Sequence, residues 1–262
     1  MNVEFRDLLT DLLEAVDPFR DTITHILLRR SDNGVEAAAR SRENAISIQA
    51  VAKKPVSEYD HIACLGKLQY LKTILNSDYI KGKKDFTIDL KYATATDNKT
   101  VALRSVEFTG GGMKAFYTPT DPFVNKLNNL PIPVIKKWPV LFGIDGKVIK
   151  HFEQLFKIHQ SAPRAGGDRD DVFQLAYNEG QILALFGDKG HQSQVILTSE
   201  AGTTEEIDKL SALFSISHLR SILKFMGNKG GIAYFADKCL KVEMETDNAE
   251  YAFAIYAKKL VV

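Results

Sequence analysis

At 262 residues, with 45% hydrophobic and 26% charged, the chain has room for one large domain or two ordinary ones, and its composition excludes a disordered or fibrous protein. A formal net charge of +1 excludes a uniformly basic coat for nucleic acid, though a locally basic face depends on where charges sit, not on their sum. Two cysteines, Cys64 and Cys239, make no disulfide framework and suit a reducing cytoplasm, and no apolar run approaches the roughly 20 residues that cross a bilayer.

The opening, MNVEFRDLLTDLLEAV, lacks the basic-then-apolar order of a secretory leader. Phe5, Leu8, Leu9, Leu12 and Val16 instead recur on one side of a helix over residues 4–16. ITHILLRR, VEAAARS and AISIQAVAKK then read as strands, parted by turn signals such as SDNG. CLGKLQYLKTIL (64–75) returns to helical spacing, and KDFTIDLKY, TVALRSVEF and MKAFYT return to strands. PTDPFVNKLNNLPIPVIKKWP (119–139) holds five of the eight prolines, which fit neither a helix interior nor a central strand. It reads as an extended connector. The domain boundary is placed within it, giving an N-terminal domain at 1–134, connector included from residue 118, and a C-terminal domain at 135–262.

Beyond the connector the order repeats. DGKVIKHFEQLFKIHQSA is a helix with Asp145 as its N-cap. DVFQLAYNEG, QILALFG and SQVILTS follow as strands, SISHLRSILKFM (215–226) as a second helix, and GIAYFAD, LKVEMET and EYAFAIYAKK as closing strands. Leu65, Leu68, Leu71, Ile74 and Leu75 lie on Ile216, Leu219, Ile222, Phe225 and Met226, and FRDLL (5–9) lies on FEQLF (152–156). The shared order is the stronger argument: two copies of one α+β unit.

That doubled order, the stretch TDPFVNKLNNLPIPV before the second half and the ending AEYAFAIYAKK resemble the DNA polymerase sliding clamps, most closely those of T-even-type bacteriophages. The ending is also similar to the last strand of ring clamps generally, including the eukaryotic proliferating cell nuclear antigen (PCNA). The resemblance implies an α+β clamp fold of two repeated domains, each with two helices facing a central channel and antiparallel sheets outside. It further implies a homotrimer closed head to tail and opened onto double-stranded DNA by a separate clamp loader ATPase. DNA polymerase would bind one face, in the bacterial cytoplasm if the source is a phage. No enzyme activity, cofactor or metal is expected.

A helix face turned toward threaded DNA meets about one negative charge per 1.7 Å of axis, so it should carry cations and small hydroxyls and no carboxylates. On the second helix of the repeat, Ser217, Arg220, Ser221 and Lys224 lie opposite Ile216, Leu219, Ile222, Leu223 and Met226, with Lys229 beyond. On helix 147–162, Lys150 and Lys157 lie opposite Phe152, Leu155 and Phe156, with Lys147 and Arg164 near the same stripe. The first half departs from this pattern. Residues 3–16 hold Glu4, Asp7, Asp11 and Glu14 against Arg6 alone, a net of 1 − 4 = −3, and helix 64–75 presents Gln69, Tyr70 and Thr73 with Lys67 and Lys72 at its flanks. The second domain is therefore expected to carry most DNA contact, and reversing Lys150 and Lys157 to cost more than neutralising Arg6.

Clamp partners dock a short motif with apolar anchors beside the connector. The resemblance assigns Leu127, Leu130, Pro131 and Ile132 to one wall of that pocket and Tyr256 and Ala257 to its floor, with Ile46 a third side or simply core. The chain lacks the proline that follows the corresponding alanine in the eukaryotic clamp. For the subunit contact, the resemblance pairs edge strands of neighbouring chains. Met113, Ala115, Phe116 and Tyr117 stand on one, Val195, Ile196 and Leu197 on the other.

Other motifs carry less. GGDRDD (166–171) groups Asp168, Asp170 and Asp171 where a helix must turn into a strand, so a turn outweighs a metal site. GGG (110–112) and GNKGG (227–231) lack the spacing and terminal Lys-Ser/Thr of a phosphate loop. Six histidines and two distant cysteines give no zinc spacing. The competing reading is a monomeric processivity or single-strand-binding subunit that holds DNA by affinity. Modest net charge and a single Trp weigh against it.

Overall fold

The computed structural model describes residues 2–32, 34–56, 59, 61–127, 135–161, 171–187 and 193–258. The chain divides into two compact units. Unit 1 comprises Met1–Glu43, Ser47–Ile132 and Thr246–Tyr251; unit 2 comprises Asn44–Ile46, Pro133–Glu245 and Ala252–Val262.

In unit 1, α1 (Asn2–Val16) is followed by β1 (Ile26–Ser31), β2 (Gly34–Arg40), β3 (Ile46–Ala52) and β4 (Ala63–Leu65). Then come α2 (Leu68–Leu75), β5 (Phe86–Thr94), β6 (Val101–Gly110) and β7 (Met113–Tyr117). The strands run in the order β3-β2-β1-β4 and, in a second sheet, β5-β6-β7, all paired antiparallel. Burial alternates along β2, as one-sided packing requires. Phe5 of α1 stacks on Tyr59 at 5.6 Å, and Leu8, Leu9, Leu12, Leu71, Ile74 and Leu75 fill the core beside them.

Unit 2 starts with β8 (Val140–Ile144) and α3 (Gly146–Ser161), then β9 (Val172–Asn178), β10 (Gln181–Phe186), β11 (Ser193–Thr198), β12 (Gly202–Thr203) and β13 (Lys209–Ser215). It closes with α4 (Ile216–Met226), β14 (Gly231–Ala236), β15 (Cys239–Glu245) and β16 (Ala249–Tyr256). Its sheets are ordered β11-β10-β9-β13 and β12-β8-β14-β15-β16. Phe152, Phe173 and Phe186 pack with ring centroids 5.2–5.5 Å apart. Phe214 continues the cluster toward Phe235 at 5.9 Å. Mutual edge and offset packing of this kind adds to the burial of each ring.

The two units repeat in topology as well as in element order. Replacing β9, β10, β11 and β13 by β1, β2, β3 and β4 turns one sheet order into the other, and β14-β15-β16 becomes β5-β6-β7 in the same way. The fold is α+β with antiparallel sheets, as expected.

Several expectations are corrected. The helix read from residue 64 begins at Leu68, because Ala63–Leu65 pairs with β1 and the Cys64 carbonyl accepts the Thr120 N–H at 2.8 Å. Leu65, Leu68 and Leu71 keep helical spacing across this junction, which hid the strand. Leu65, matched to the first residue of α4, is therefore not helical. β8 and β13 were not anticipated; β13 alternates weakly in burial and runs directly into α4. The connector contains one short 3-10 turn at Val124–Lys126, and residues 128–134 lie outside the described set. The triple glycine is a hairpin: Gly111 and Gly112 take φ of 55° and 85° between paired Gly110 and Met113, the two-residue turn that favours glycine.

Candidate nucleic-acid interface

α3 and α4, both in unit 2, are held at their starts by carboxylates. Asp145 Oδ1 accepts the Val148 N–H at 2.8 Å, the N-cap expected from the sequence. α4 is capped twice. Asp171 accepts the Ser217 N–H at 2.8 Å and the Ser215 hydroxyl at 2.6 Å, while Ser215 Oγ accepts the His218 N–H at 3.3 Å. Of the acidic cluster set aside as a turn, Asp171 is thus a cap; Asp168 and Asp170 lie outside the described residues. Gly227, at φ 56°, ends the helix with its N–H on the Leu223 carbonyl.

Between these ends each helix has one buried and one open face. Val148, Phe152 and Leu155 of α3 are buried, as are Ile216, Leu219, Ile222, Leu223 and Met226 of α4. Lys147, Lys150, Gln154, Lys157 and Ser161 recur at three- and four-residue steps along the exposed face of α3. Ser217, Arg220 and Lys224 do so on α4, with Lys229 just past its end. Among the described residues, none of Lys147, Lys150, Lys157, Lys224 and Lys229 has an ion-pair partner. Arg164 lies outside them.

Arg220 differs from the other cations. Its Nε donates to Glu153 Oε1 at 2.9 Å, and its guanidinium lies 4.2 Å from the Phe156 ring centroid. The sequence reading of an α4 face free of carboxylates missed Glu153, which comes from the neighbouring helix. A pair between helices leaves no mark in the spacing along either one.

The corresponding face in unit 1 is acidic on α1 and neutral on α2. Glu4 and Glu14 are exposed and Asp7 and Asp11 half-buried. Asp11 accepts a hydrogen bond from the Thr246 hydroxyl. Arg6, counted as a cation of this face, is buried. It donates to the carbonyls of Ile80 and Lys83, pairs with Asp7 at 2.7 Å and lies over the Phe86 ring at 5.1 Å. Neutralising it would disturb packing, so it is no surface control for the lysines. On α2, Gln69, Tyr70 and Thr73 are exposed as expected, while Lys72 pairs with Asp17 at 2.9 Å.

β7 and β11 each end a sheet. Phe116 and Ile196 are 54% and 44% exposed, so each leaves a large apolar side chain open at an edge. Met113, Ala115 and Val195 are half-buried. Tyr117 and Leu197 are core residues of their own units, and the Tyr117 hydroxyl donates to the Gly66 carbonyl at 2.6 Å; their side chains are not available to a neighbour. Of the pocket residues, Leu127, Tyr256 and Ala257 are half-buried, and Leu130, Pro131 and Ile132 fall outside the described set. Ile46 is fully buried.

No protein-family model and no curated protein matches the chain by sequence. Solved structures do match over nearly its whole length. PCNA from A. fulgidus, solved as "C-terminal region of FEN-1 bound to A. fulgidus PCNA", superposes with a TM-score of 0.69 at 10% identity, covering 98% of this chain and 97% of that one. PCNA from Thermococcus kodakaraensis gives 0.66 at 12% identity, covering 97% of each chain. A PCNA2–PCNA3 complex from Sulfolobus tokodaii gives 0.59 at 11%, covering 97% and 96%. The fold is that of the sliding clamps.

Proposed function

We propose that this chain is the protomer of a ring that encircles duplex DNA and tethers a DNA polymerase, akin to the T-even-type phage clamps whose motifs it resembles. The reading makes it a scaffold rather than an enzyme, loaded by a separate ATPase. The observation that carries it is the open face of α3 and α4, where four lysines on the helices and Lys229 just beyond α4 stand without carboxylate partners among the described residues. Lysine is a flexible point charge that attracts phosphate without fixing it, which suits passage along a duplex rather than grip. Retention then falls to topology.

The two open edges support closure. Unlike edges joined head to tail make a ring when the rotation per subunit closes, and three two-domain chains supply six domains. Phe116 and Ile196 would each gain roughly 1 kcal/mol by losing their exposed half to a neighbour. An apolar edge left unpaired is an aggregation hazard, a second reason to expect a partner strand there. Leu127, Leu130, Pro131, Ile132, Tyr256 and Ala257 are assigned to a partner's short apolar motif; the structurally similar A. fulgidus PCNA was solved with a C-terminal region of FEN-1 bound.

Solution mass and DNA topology test the reading together. A ring should run near three times 29.2 kDa, stay on closed circular DNA once loaded and slip from the same DNA after linearisation. A single-chain mass, with equal and steeply salt-dependent loss from both templates, would establish the affinity-binding alternative instead.

A further inference from the structure

We propose that Glu153 is a positioning residue that keeps Arg220 from gripping a phosphate, and so sets how freely duplex DNA passes α3 and α4. The proposal rests on the reading of that open face as the DNA-facing one.

Arg220 is the only arginine in α3 or α4; every other basic residue on their exposed face is lysine. The distinction matters because a guanidinium presents a planar fork that binds phosphate through two parallel hydrogen bonds, whereas an ammonium offers one mobile charge. Among the described side chains on this face, Arg220 is the one built to hold rather than to guide. It is also already ordered, resting on the Phe156 ring at 4.2 Å, so little freedom remains to be lost on meeting a phosphate. Left alone, it would be a point of friction.

Glu153 counters this. Its Oε1 takes the Arg220 Nε hydrogen at 2.9 Å and sets a negative charge against the guanidinium, so a passing phosphate meets a nearly neutral pair. The two side chains remain 44% and 30% exposed, so the pair is within reach of solvent and of DNA rather than sealed in the core. One turn along α4, Lys224 has no such partner among the described residues. The face thus combines mobile cations with one restrained fork.

The substitution E153Q separates charge from shape, because the amide oxygen can still accept the Arg220 hydrogen while the opposing charge is gone. The measurement is binding of a random-sequence linear duplex of about 30 base pairs, followed by fluorescence anisotropy across a salt series. For each freed guanidinium that meets a phosphate, E153Q should steepen the slope of log Kobs against log[salt] by about 0.9 and tighten binding roughly 5–10-fold at 0.1 M salt. R220Q should do the reverse, since it leaves the Glu153 carboxylate bare on the face. The double variant E153Q/R220Q should lose the gain of E153Q. A slope for E153Q equal to that of the unmodified protein, with only a lower unfolding midpoint, would make the pair a strut between helices and overturn the proposal. Unmodified protein that neither binds the duplex nor prefers closed circular DNA would overturn the clamp reading and this proposal with it; clamp behaviour with an unchanged E153Q slope would overturn this proposal alone.

Discussion

Units 1 and 2 share the order of seven strands, with β8 and β12 extra in unit 2, and present opposite charge on their first helices. The position that holds Phe5 in α1 holds Phe152 in α3, and both are buried. One residue on, the same repeat position carries Arg6 in one unit and Glu153 in the other. Each ties its helix to a neighbouring element, Arg6 through the Ile80 and Lys83 carbonyls and Glu153 through Arg220. Farther out the likeness ends: Glu4, Asp7, Asp11 and Glu14 stand against Lys147, Lys150 and Lys157. Inward positions answer to packing, which both copies must satisfy alike. Outward positions answer to whatever approaches from outside, and there the two copies differ in charge.

The comparison breaks most sharply at the lysines. K150E/K157E should weaken binding to linear duplex roughly 50–100-fold at 0.1 M salt, two lost phosphate contacts at about 0.9 log unit each. Its unfolding midpoint should stay within error of the unmodified protein, because both side chains are exposed. An equal loss from K67E would mean that the units share the duplex evenly. R6M should show the opposite profile, losing about 2–3 kcal/mol in urea unfolding while the DNA salt slope is unchanged, since the Ile80 and Lys83 carbonyls would be left without their charged donor. Should R6M fold normally and bind DNA less well, Arg6 belongs to the surface after all. E4Q/E14Q should tighten DNA binding by less than about threefold, because these exposed carboxylates act at a distance through screening salt. A larger gain would place α1 against the duplex. The smallest effect is a null one. Burial pushes the thiols of Cys64 in unit 1 and Cys239 in unit 2 up to about 12, so neither should be alkylated by iodoacetamide at pH 8 until its unit opens. The order in which they become labelled along a urea series reports which unit opens first.

Much of the fold was legible because amphipathic spacing is a local property. All five apolar residues predicted for α4 are buried, and the strands of both halves stand close to where alternation put them. Short strands escaped for a physical reason: β4 has three residues, too few to show a period, and its leucine continued a helical one. The lysine face was legible for the same reason as the helices, since it needs only the spacing of one segment. The Arg220–Glu153 pair and the burial of Arg6 were not, because each is decided by residues 67 and 74–77 positions away in the chain. Charge written in sequence counts residues; only the fold says which of them face water.

The caps on α3 and α4 have a consequence for how anions are met. The leading amides of a helix ordinarily form a fixed cradle for phosphate, firm in its geometry. Here Asp145 occupies that cradle on α3, and Asp171 with Ser215 occupies it on α4. On the proposed reading, a sugar–phosphate strand would find these capped amides already taken and would meet the swinging tips of side chains instead.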